Sequence, residues 1–341
     1  MVLKSRFTRR LAVALAASVA FTGIAMQPGS AQEKRKVIGW SVAYFDHPVY
    51  QLMMQAAKKL ADQNGVDIIF ADGKSDPAVQ ASQIDNFLAQ KVDGIILTPV
   101  VSDPLIPAVK KVNRANVPLI IADRRIFPQG QKLKWNAMVA WDIVKSGELG
   151  GEQAVEALGG KGNLVVVEGT PGAGPTIDRG NAFYDVIKKH PDIKIVAKIS
   201  GDFNRAKGQE VTENILQRFP KGQVDAIYYM NDEMAFGGLQ AIKASGRLHE
   251  FKVISVDGEK EAMALVRAGD IDYETIFHPD DEAVAVNVMA DLVKGKTPDL
   301  SNQVYEGRKM EKLDWEGMPW IRPTCFKVDK TNANLPENQG W

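Results

Sequence analysis

Short apolar runs rich in β-branched residues alternate with longer amphipathic stretches through most of this 341-residue chain. Runs of this kind are typical of strands buried on both faces, and the stretches between them are long enough for crossover helices. Strands joined in this way form parallel sheets, so the alternation predicts a doubly wound α/β fold. The predicted strands cover residues 37–44, 67–72, 94–100, 118–123, 163–169, 194–201, 226–231, 252–257 and 273–278.

The N-terminal residues are arranged as in a secretory signal peptide. Basic residues between Lys4 and Arg10 precede an apolar run over residues 11–26, and small residues follow up to Ala31. The run has ~16 residues against the ~20 that a membrane-spanning helix needs, so cleavage near Ala31 is favoured over a retained anchor. Cys325 is the only cysteine, which excludes an internal disulfide and a lipid on the new N-terminus. We therefore expect an exported protein that carries no lipid anchor.

Charge and length narrow the class of protein further. The whole chain balances 42 basic residues against 42 acidic ones. It contains no basic stripe that would indicate a nucleic-acid partner and no charged tail that would indicate a polyelectrolyte partner. After removal of residues 1–31, about 310 residues remain, which is more than one compact core usually contains. Two domains are therefore expected.

Polar residues follow several of the predicted strands. They are Asp72, Asp123 with Arg124, Asn231 with Asp232, and Asp257. In doubly wound sheets, ligands bind at the carboxyl ends of the strands. Each of these residues also suits the N-cap of the following helix, and for any single one of them capping is the favoured alternative. Their convergence on one crevice favours a ligand site.

Sequence patterns of common enzymes are missing or incomplete. The segment GTPGAGPT at residues 169–176 nearly matches a phosphate-binding loop, but Pro175 replaces the lysine that would contact the phosphates. Ile177 stands where a dinucleotide fingerprint needs its third glycine, so we interpret the segment as a loop whose backbone approaches a ligand or a facing lobe. The four histidines lack metal-ligand spacing, and no nucleophile elbow is present. We expect no enzyme activity, no metal and no cofactor.

Seven stretches resemble, in the same order, the ribose-type periplasmic binding proteins, which are the sugar-binding components of ABC importers. They are VIGWSVAYFDHPVY, KVDGIILTPV, NVPLIIADRR, GTPGAGPTIDRGNAF, SGDFNRAKGQEV, MNDEMAFGGLQAIKASG and VISVDG, and they lie between Val37 and Lys294. The segments ADGKSDPAVQ and PVVSD are similar to those of the galactofuranose-binding members.

The resemblance implies two similar Rossmann-like lobes, each a parallel sheet flanked by helices, joined by a hinge that the chain crosses three times. We expect the crossings near residues 140–142, 277–279 and 305–308. The first lobe would then contain residues 32–140 and 278–305, and the second residues 141–277 and 306–341. The resemblance also implies a monomer that closes on a monosaccharide by hinge rotation and delivers it to a membrane permease, with no nucleic-acid partner and no membrane insertion.

Nine residues are predicted to bind the ligand, and all of them except Arg179 and His278 match ligand-binding positions of the family. The nine are His47, Tyr50, Asp123, Arg124, Arg179, Phe203, Asn231, Asp257 and His278. Asp123 would accept from two vicinal hydroxyls and Arg124 would donate its planar fork, with a mutual salt bridge as the alternative. Phe203 would stack on the apolar face of a sugar ring. Asn231 and Asp257 would hydrogen-bond the remaining hydroxyls.

Two positions depart from the ribose-binding pattern. Ile177 stands where that pattern has a contacting arginine, and Arg179, two residues further on, would serve either the ligand or only the start of the helix. The Phe277-His278 region replaces the glutamine of the hinge. Both departures argue against ribose as the ligand. Trp40 and Trp141 lie near strand ends that face the hinge and would narrow the cleft, with packing as the favoured alternative, and packing is also the alternative for Tyr50.

The same sequence pattern leaves other functions open. An exported sensor or chemotaxis ligand carrier, or a binder of a non-sugar polar molecule such as an autoinducer, fits the same pattern. A sugar-responsive repressor would carry a helix-turn-helix where this chain has its signal-peptide pattern. An exported hydrolase or epimerase would use Asp123 and Asp257 as acid and base. The Trp- and Pro-rich residues 313–341 predict an ordered strap lying on one lobe.

Overall fold

The computed structural model describes residues 34–315 and 317–341. The predicted signal peptide, residues 1–31, lies outside the described residues. Across the described ranges, no helix is both long enough and apolar enough to cross a membrane.

Strands and helices alternate from Lys36 to Val293. The strands of this part are β1 (Lys36–Val42), β2 (Val66–Asp72), β3 (Gly94–Leu97), β4 (Leu119–Ala122), β5 (Ala137–Val139), β6 (Gly162–Glu168), β7 (Ile193–Ser200), β8 (Ala226–Tyr229), β9 (Lys252–Asp257) and β10 (Tyr273–Ile276). The helices are α1 (Pro48–Gln63), α2 (Pro77–Gln90), α3 (Ile106–Ala115), α4 (Ile143–Ala157), α5 (Gly174–Ile187), α6 (Arg205–Arg218), α7 (Asp232–Ala244), α8 (Lys260–Ala268) and α9 (Ala285–Val293). Short strands follow: β11 (Val304–Tyr305), β12 (Arg308–Lys309), β13 (Glu311–Trp315), β14 (Met318–Arg322) and β15 (Phe326–Asp329).

The strands form two separate large sheets, which confirms the predicted α/β fold of two lobes. The first sheet has the order β13-β14-β5-β4-β3-β1-β2, and the second has the order β15-β10-β9-β8-β6-β7. Within these two sheets, pairing is parallel except at β13 and β15, each of which runs antiparallel to its one neighbour. Strands β11 and β12 form a separate antiparallel pair. The strands β3 and β4 are buried along their whole length, because helices cover both faces of a doubly wound sheet.

The third crossing between the sheets differs from the prediction. Strand β14 pairs with β5 in the first sheet, and β15 pairs with β10 in the second, so the chain crosses at residues 323–325. The predicted crossing at residues 305–308 is wrong, and so is the assignment of residues 306–322 to the second lobe. The reason is physical. Without the hairpin of β13 and β14, β5 would be the edge strand of the first sheet with unpaired backbone groups, and β14 pairs with it. The other two connections between the sheets lie at residues 140–142 and 277–278.

Side-chain caps determine where several helices begin. His47, Asp76, Asn204 and Asn231 each accept a hydrogen bond from a backbone N–H in the first turn of α1, α2, α6 and α7. Each such cap contributes about 1 kcal/mol to helix stability. Asp72 caps no helix, since its carboxylate accepts from the backbone N–H of Lys74 in the turn after β2. Capping thus places His47 and Asn231 at the ends of the two sheets that face each other.

Candidate functional site

A cavity lies between the carboxyl ends of the two sheets. Its first-lobe lining is Tyr44, His47, Val49, Tyr50, Asp123 and Arg124, its second-lobe lining is Pro175, Arg179, Phe203, Asn231 and Asp257, and the crossing segments add Trp141 and Phe277. Eight of the nine residues predicted to bind ligand are therefore brought together.

His278 is the predicted residue that the structure places outside the cavity. Its ring lies 6.5 Å from that of Phe326, measured between centroids. Phe277, one position earlier, lines the cavity instead and is 1% exposed. Successive side chains of an extended segment point in opposite directions, so only one of the two can face the cavity. The prediction of His278 as a lining residue is wrong for this reason.

Asp123 and Arg124 lie at the centre of a buried network in the first lobe. The Asp123 carboxylate accepts from the Tyr50 hydroxyl at 2.6 Å and from Trp141 Nε1 at 3.3 Å. Its Oδ2 also lies 3.4 Å from Arg124 Nε, so the two residues form the ion pair considered as the alternative to ligand binding. Arg124 Nη2 donates to the Tyr44 hydroxyl at 2.7 Å. Arg124 Nε itself is buried and makes no hydrogen bond with the described residues.

Aromatic rings form the apolar walls of the cavity. The rings of Trp141 and Phe277 are stacked, with centroids 3.7 Å apart and an interplanar angle of 4°. Phe203 comes from the second lobe, and its ring centroid lies 5.5 Å from the guanidinium carbon of Arg124. A Cβ atom on Gly169 would lie 1.9 Å from Phe203 Cζ, so the ring can take this position only because residue 169 is glycine.

Asp257 and Arg179 supply charge from the second lobe. The described residues donate no hydrogen bond to the side-chain carboxyl of Asp257, although that residue is only 5% exposed. Burial, followed by the negative charge of Asp232, holds the pKa of Asp257 well above its usual value, and Arg179 acts in the opposite direction. Arg179 is held by hydrogen bonds from its guanidinium to Ser146 Oγ and to the backbone carbonyl of Met230.

His47 and Asn231 meet across the cavity. The distance from Asn231 Nδ2 to His47 Nε2 is 3.2 Å, while Asn231 Oδ1 accepts from the backbone N–H of Met234. His47 Nδ1 faces the backbone N–H of Val49 at 3.3 Å. Burial, and then the charge of Arg124, lowers the pKa of His47 to about 3, so the imidazole is neutral and has one acceptor nitrogen for these two donors. Because Nδ1 accepts from Val49, the proton of the neutral ring lies on Nε2, which faces the Asn231 amide nitrogen, another donor.

A buried acidic group supports the turn after β9. The Asp232 carboxylate accepts from Ser255 Oγ at 2.6 Å and from the backbone N–H groups of Gly258 and Glu259 at 3.0 and 2.9 Å. Burial raises the pKa of Asp232 to about 6, although a hydrogen bond with Glu274 lowers it. Asp232 thus holds the turn that carries Asp257, rather than lining the cavity.

The glycine-rich loop before α5 contacts the first lobe. The backbone N–H of Ser102 donates to the carbonyl of Gly172 at 3.3 Å. A Cβ atom on Gly174 would lie 3.1 Å from the backbone nitrogen of Arg125, so glycine permits this close approach. The loop segment thus contacts the facing lobe, and its Pro175 also lines the cavity.

Several lining residues were not predicted from the sequence. Tyr44, Val49 and Pro175 are neighbours of predicted positions, and Phe277 precedes the predicted His278. Alternation along an extended segment was the signal that would have found Phe277. In the described part of the chain, no group of three or more His, Cys, Asp or Glu residues is placed to hold a metal ion.

Comparison with known proteins identifies the family. Residues 38–297 match the family described as "Periplasmic binding protein domain". The ribose import binding protein of Bacillus subtilis is 30% identical over 283 residues, covering 83% of this chain and 86% of that protein. The galactofuranose-binding protein of Escherichia coli is 32% identical over 245 residues, covering 71% and 77% of the two chains.

Solved structures show the same architecture. The arabinose-transporter binding protein of Shewanella sp. ANA-3, bound to L-arabinofuranose, aligns with a TM-score of 0.75 at 29% identity and covers 89% of this chain and 95% of its own. A galactofuranose-binding protein aligns with a TM-score of 0.77 at 26% identity and covers 90% of this chain and 100% of its own. This chain belongs to the periplasmic binding protein family, and it is an exported solute-binding protein rather than an enzyme.

Proposed function

We propose that this protein captures a monosaccharide in the cavity between its lobes and delivers it to the permease of an ABC importer. The Asp257 carboxyl carries the proposal, because it is buried, faces the cavity and accepts no hydrogen bond from the described residues. A buried polar group without a partner costs about 1–3 kcal/mol, which a ligand hydroxyl would recover. Arg124 Nε is a second buried group that needs a partner.

The composition of the cavity favours a sugar over other small molecules. Two carboxyl groups and two guanidinium groups line it, a set of acceptors and donors that suits a ligand rich in hydroxyl groups. The Phe203 ring offers an aromatic surface to the C–H groups of a sugar ring, whose hydroxyls would reach the polar groups. Tyr50, Asp123, Arg124, Arg179, Asn231 and Asp257 are the proposed hydrogen-bonding residues.

The ligand we propose is a pentose or hexose other than ribose, with furanose forms included. Ile177 is half-buried and lies outside the lining, so the contact that the ribose pattern makes through arginine at this position is missing. Relatives are named for ribose, galactofuranose and L-arabinofuranose, which are all pentoses or hexoses, and this supports the proposed class of ligand. The proposed cycle is that of a monomer, cleaved near Ala31, whose lobes close on the sugar and open at the permease.

A thermal-shift panel of pentoses, hexoses and furanose-forming sugars tests the proposal. A true ligand at about 100 times its Kd should raise the free energy of unfolding by about 2.7 kcal/mol, and we expect a Kd of about 1 μM or tighter. Asp257→Asn should abolish the shift without lowering the melting temperature of the free protein, since the carboxyl has no partner to lose. Asp46→Asn, an exposed change in the turn between β1 and α1, is the matched control.

Two results would overturn the proposal. One is a panel in which no sugar shifts the wild-type protein while amino acids or autoinducer-like molecules do. The other is loss of the sugar over hours of incubation, which would indicate turnover rather than binding.

A further inference from the structure

We propose that Trp341 is a positioning residue of the ligand site, which holds Asp257 and Phe277 in the geometry that receives the ligand. This inference rests on the proposed function, because Asp257 and Phe277 are proposed there to meet the sugar. Trp341 itself does not line the cavity.

Trp341 is hydrogen-bonded to the turn that carries Asp257. Its indole Nε1 donates to the backbone carbonyl of Asp257 at 2.9 Å. Its backbone N–H donates to the carbonyl of Gly258, and its own carbonyl accepts from the backbone N–H of Lys260, each at 3.2 Å. Three hydrogen bonds thus connect one residue to a single turn.

The turn needs such support because its backbone is strained. Asp257 has φ 140° and Gly258 has φ 90°, both in the region that L-residues rarely adopt. A non-glycine residue in such a conformation costs about 1–3 kcal/mol and persists only where surrounding contacts hold it. Asp232 holds the turn from one side through two backbone N–H groups, and Trp341 holds it through the carbonyls.

Trp341 also lies beside Phe277, one of the aromatic residues that line the cavity. Its ring centroid lies 6.4 Å from that of Phe277, which is stacked on Trp141. The carbonyl of Asp257 also accepts from the backbone N–H of Phe277 at 3.3 Å, so the indole and the phenylalanine share one acceptor. Movement of Trp341 would therefore release Asp257 and Phe277 together.

Gly340 makes the contact sterically allowed. Its φ is +78°, and a Cβ atom there would lie 2.9 Å from both the Gly258 carbonyl oxygen and the Lys260 nitrogen. Glycine is therefore required for the backbone of this segment to lie against the turn.

The test compares Trp341→Ala and Trp341→Phe with Leu335→Ala, an exposed apolar change in the same segment. In the ligand-free protein, we expect the backbone amides of Lys260 and Phe277 to exchange with solvent at least about tenfold faster in Trp341→Ala, with the distant strand β7 unchanged. Affinity for the sugar found in the panel should fall at least about tenfold in Trp341→Ala. Trp341→Phe keeps a ring beside Phe277 and loses the N–H donor, so its affinity should fall by a smaller factor of about three to five.

The outcomes separate this inference from the proposed function. If the wild-type protein binds no sugar, the proposed function fails, and the exchange rates alone decide the role of Trp341. Unchanged exchange at Lys260 and Phe277 would overturn the inference. So would a lower melting temperature in Trp341→Ala with unchanged affinity, because that result indicates a purely structural role.

Discussion

Three residues of the cavity have backbone conformations that L-residues rarely adopt. Asp123 has φ 59°, Phe203 has φ 55° and Asp257 has φ 140°. Each conformation costs about 1–3 kcal/mol, so neighbouring contacts must hold the residue in place. The Phe203 ring lies against residue 169, and it fits there because glycine has no Cβ atom. The absence of a Cβ atom at residue 169 therefore contributes to the shape of the site.

Gly169→Ala should displace the Phe203 ring and weaken sugar binding by at least about tenfold, or 1.4 kcal/mol. The added Cβ would lie 1.9 Å from Phe203 Cζ, so the ring must move from its place beside the cavity. Calorimetric titration with the sugar from the panel measures the change. In a Phe203→Ala background the same glycine change should cost little further affinity. Equal losses in both backgrounds would contradict the steric explanation.

The buried carboxyl group of Glu274 makes stability depend on pH. Glu274 Oε1 accepts from the backbone N–H of Thr275, but Oε2 is buried without a partner unless it carries a proton and donates it to Asp232. Burial, and then the charge of Asp232, raises the pKa of Glu274 well above its usual value. Burial likewise raises the pKa of Glu259 to about 9. Both groups bind a proton more tightly in the folded state, so their stabilisation is complete below the unfolded pKa and is lost as the pH rises through the folded pKa.

Glu274→Gln should therefore stabilise the protein at pH 8 and leave it nearly unchanged at pH 5. The amide keeps the shape and donates to Asp232 without a titrating proton, and we expect a gain of about 1 kcal/mol or more at the higher pH. Urea unfolding at both pH values measures the difference. Glu337→Gln, an exposed change, is the control and should show no pH-dependent gain. A gain of equal size at both pH values would argue against the shared proton.

Glycines on one face of α4 allow this helix to approach α5 closely. A Cβ atom on Gly147 would lie 2.2 Å from the carbonyl oxygen of Arg179, and one on Gly151 would lie 2.7 Å from Val186 Cβ. Glycine lowers intrinsic helix stability by about 1 kcal/mol relative to alanine, so packing rather than propensity explains these residues. The close approach also places the backbone of Arg179, whose guanidinium reaches the cavity.

Gly147→Ala should destabilise the protein by about 1–3 kcal/mol, although helix propensity alone predicts stabilisation. The added methyl group must push α5 away, which would also move Arg179. Gly180→Ala on α5 is the matched control, because its Cβ would meet Met230 Cε at an ordinary 3.4 Å. Denaturant unfolding of the two variants should therefore give changes of opposite sign. Stabilisation by Gly147→Ala would show that the helices separate freely.

An ion pair connects the two lobes. The Arg125 guanidinium of the first lobe forms a two-point ion pair with the Asp178 carboxylate on α5 of the second. Its carbon lies 4.1 Å from the ring centroid of Phe127 and 3.9 Å from that of Trp315. Trp315 belongs to the hairpin of β13 and β14, so this hairpin stabilises the cation that connects the lobes.

Asp178→Asn should shift the ligand-free protein towards open conformations and weaken sugar binding by about three- to tenfold. The apparent Kd rises in proportion as the closed fraction falls, and the radius of gyration from small-angle X-ray scattering should increase. Saturating sugar should restore the compact form. Asp185→Asn, an exposed change on the same helix, should leave both quantities unaltered. Weaker binding with an unchanged radius would mean that Asp178 acts in some way other than closure.

Local patterns in the sequence determined the fold class and most of the site. All nine predicted strands are present, because a buried strand is recognised from a short run of consecutive apolar residues. Asp123, Arg124, Asn231 and Asp257 could be placed at one edge because the carboxyl ends of parallel strands meet there. The three-residue strand β5 was missed, since it is too short to show a pattern.

Tertiary structure alone decided which sheet each late strand joins and which neighbour faces the cavity. Strands β14 and β15 are close in sequence yet extend different sheets, because each pairs with an edge that exists only after the rest of its lobe has formed. The choice of Phe277 over His278 depends on how one extended segment lies between two lobes. The contact of Trp341 with Asp257 joins residues 84 positions apart. Such pairings depend on surfaces assembled from distant parts of the chain, and no local run of residues encodes them.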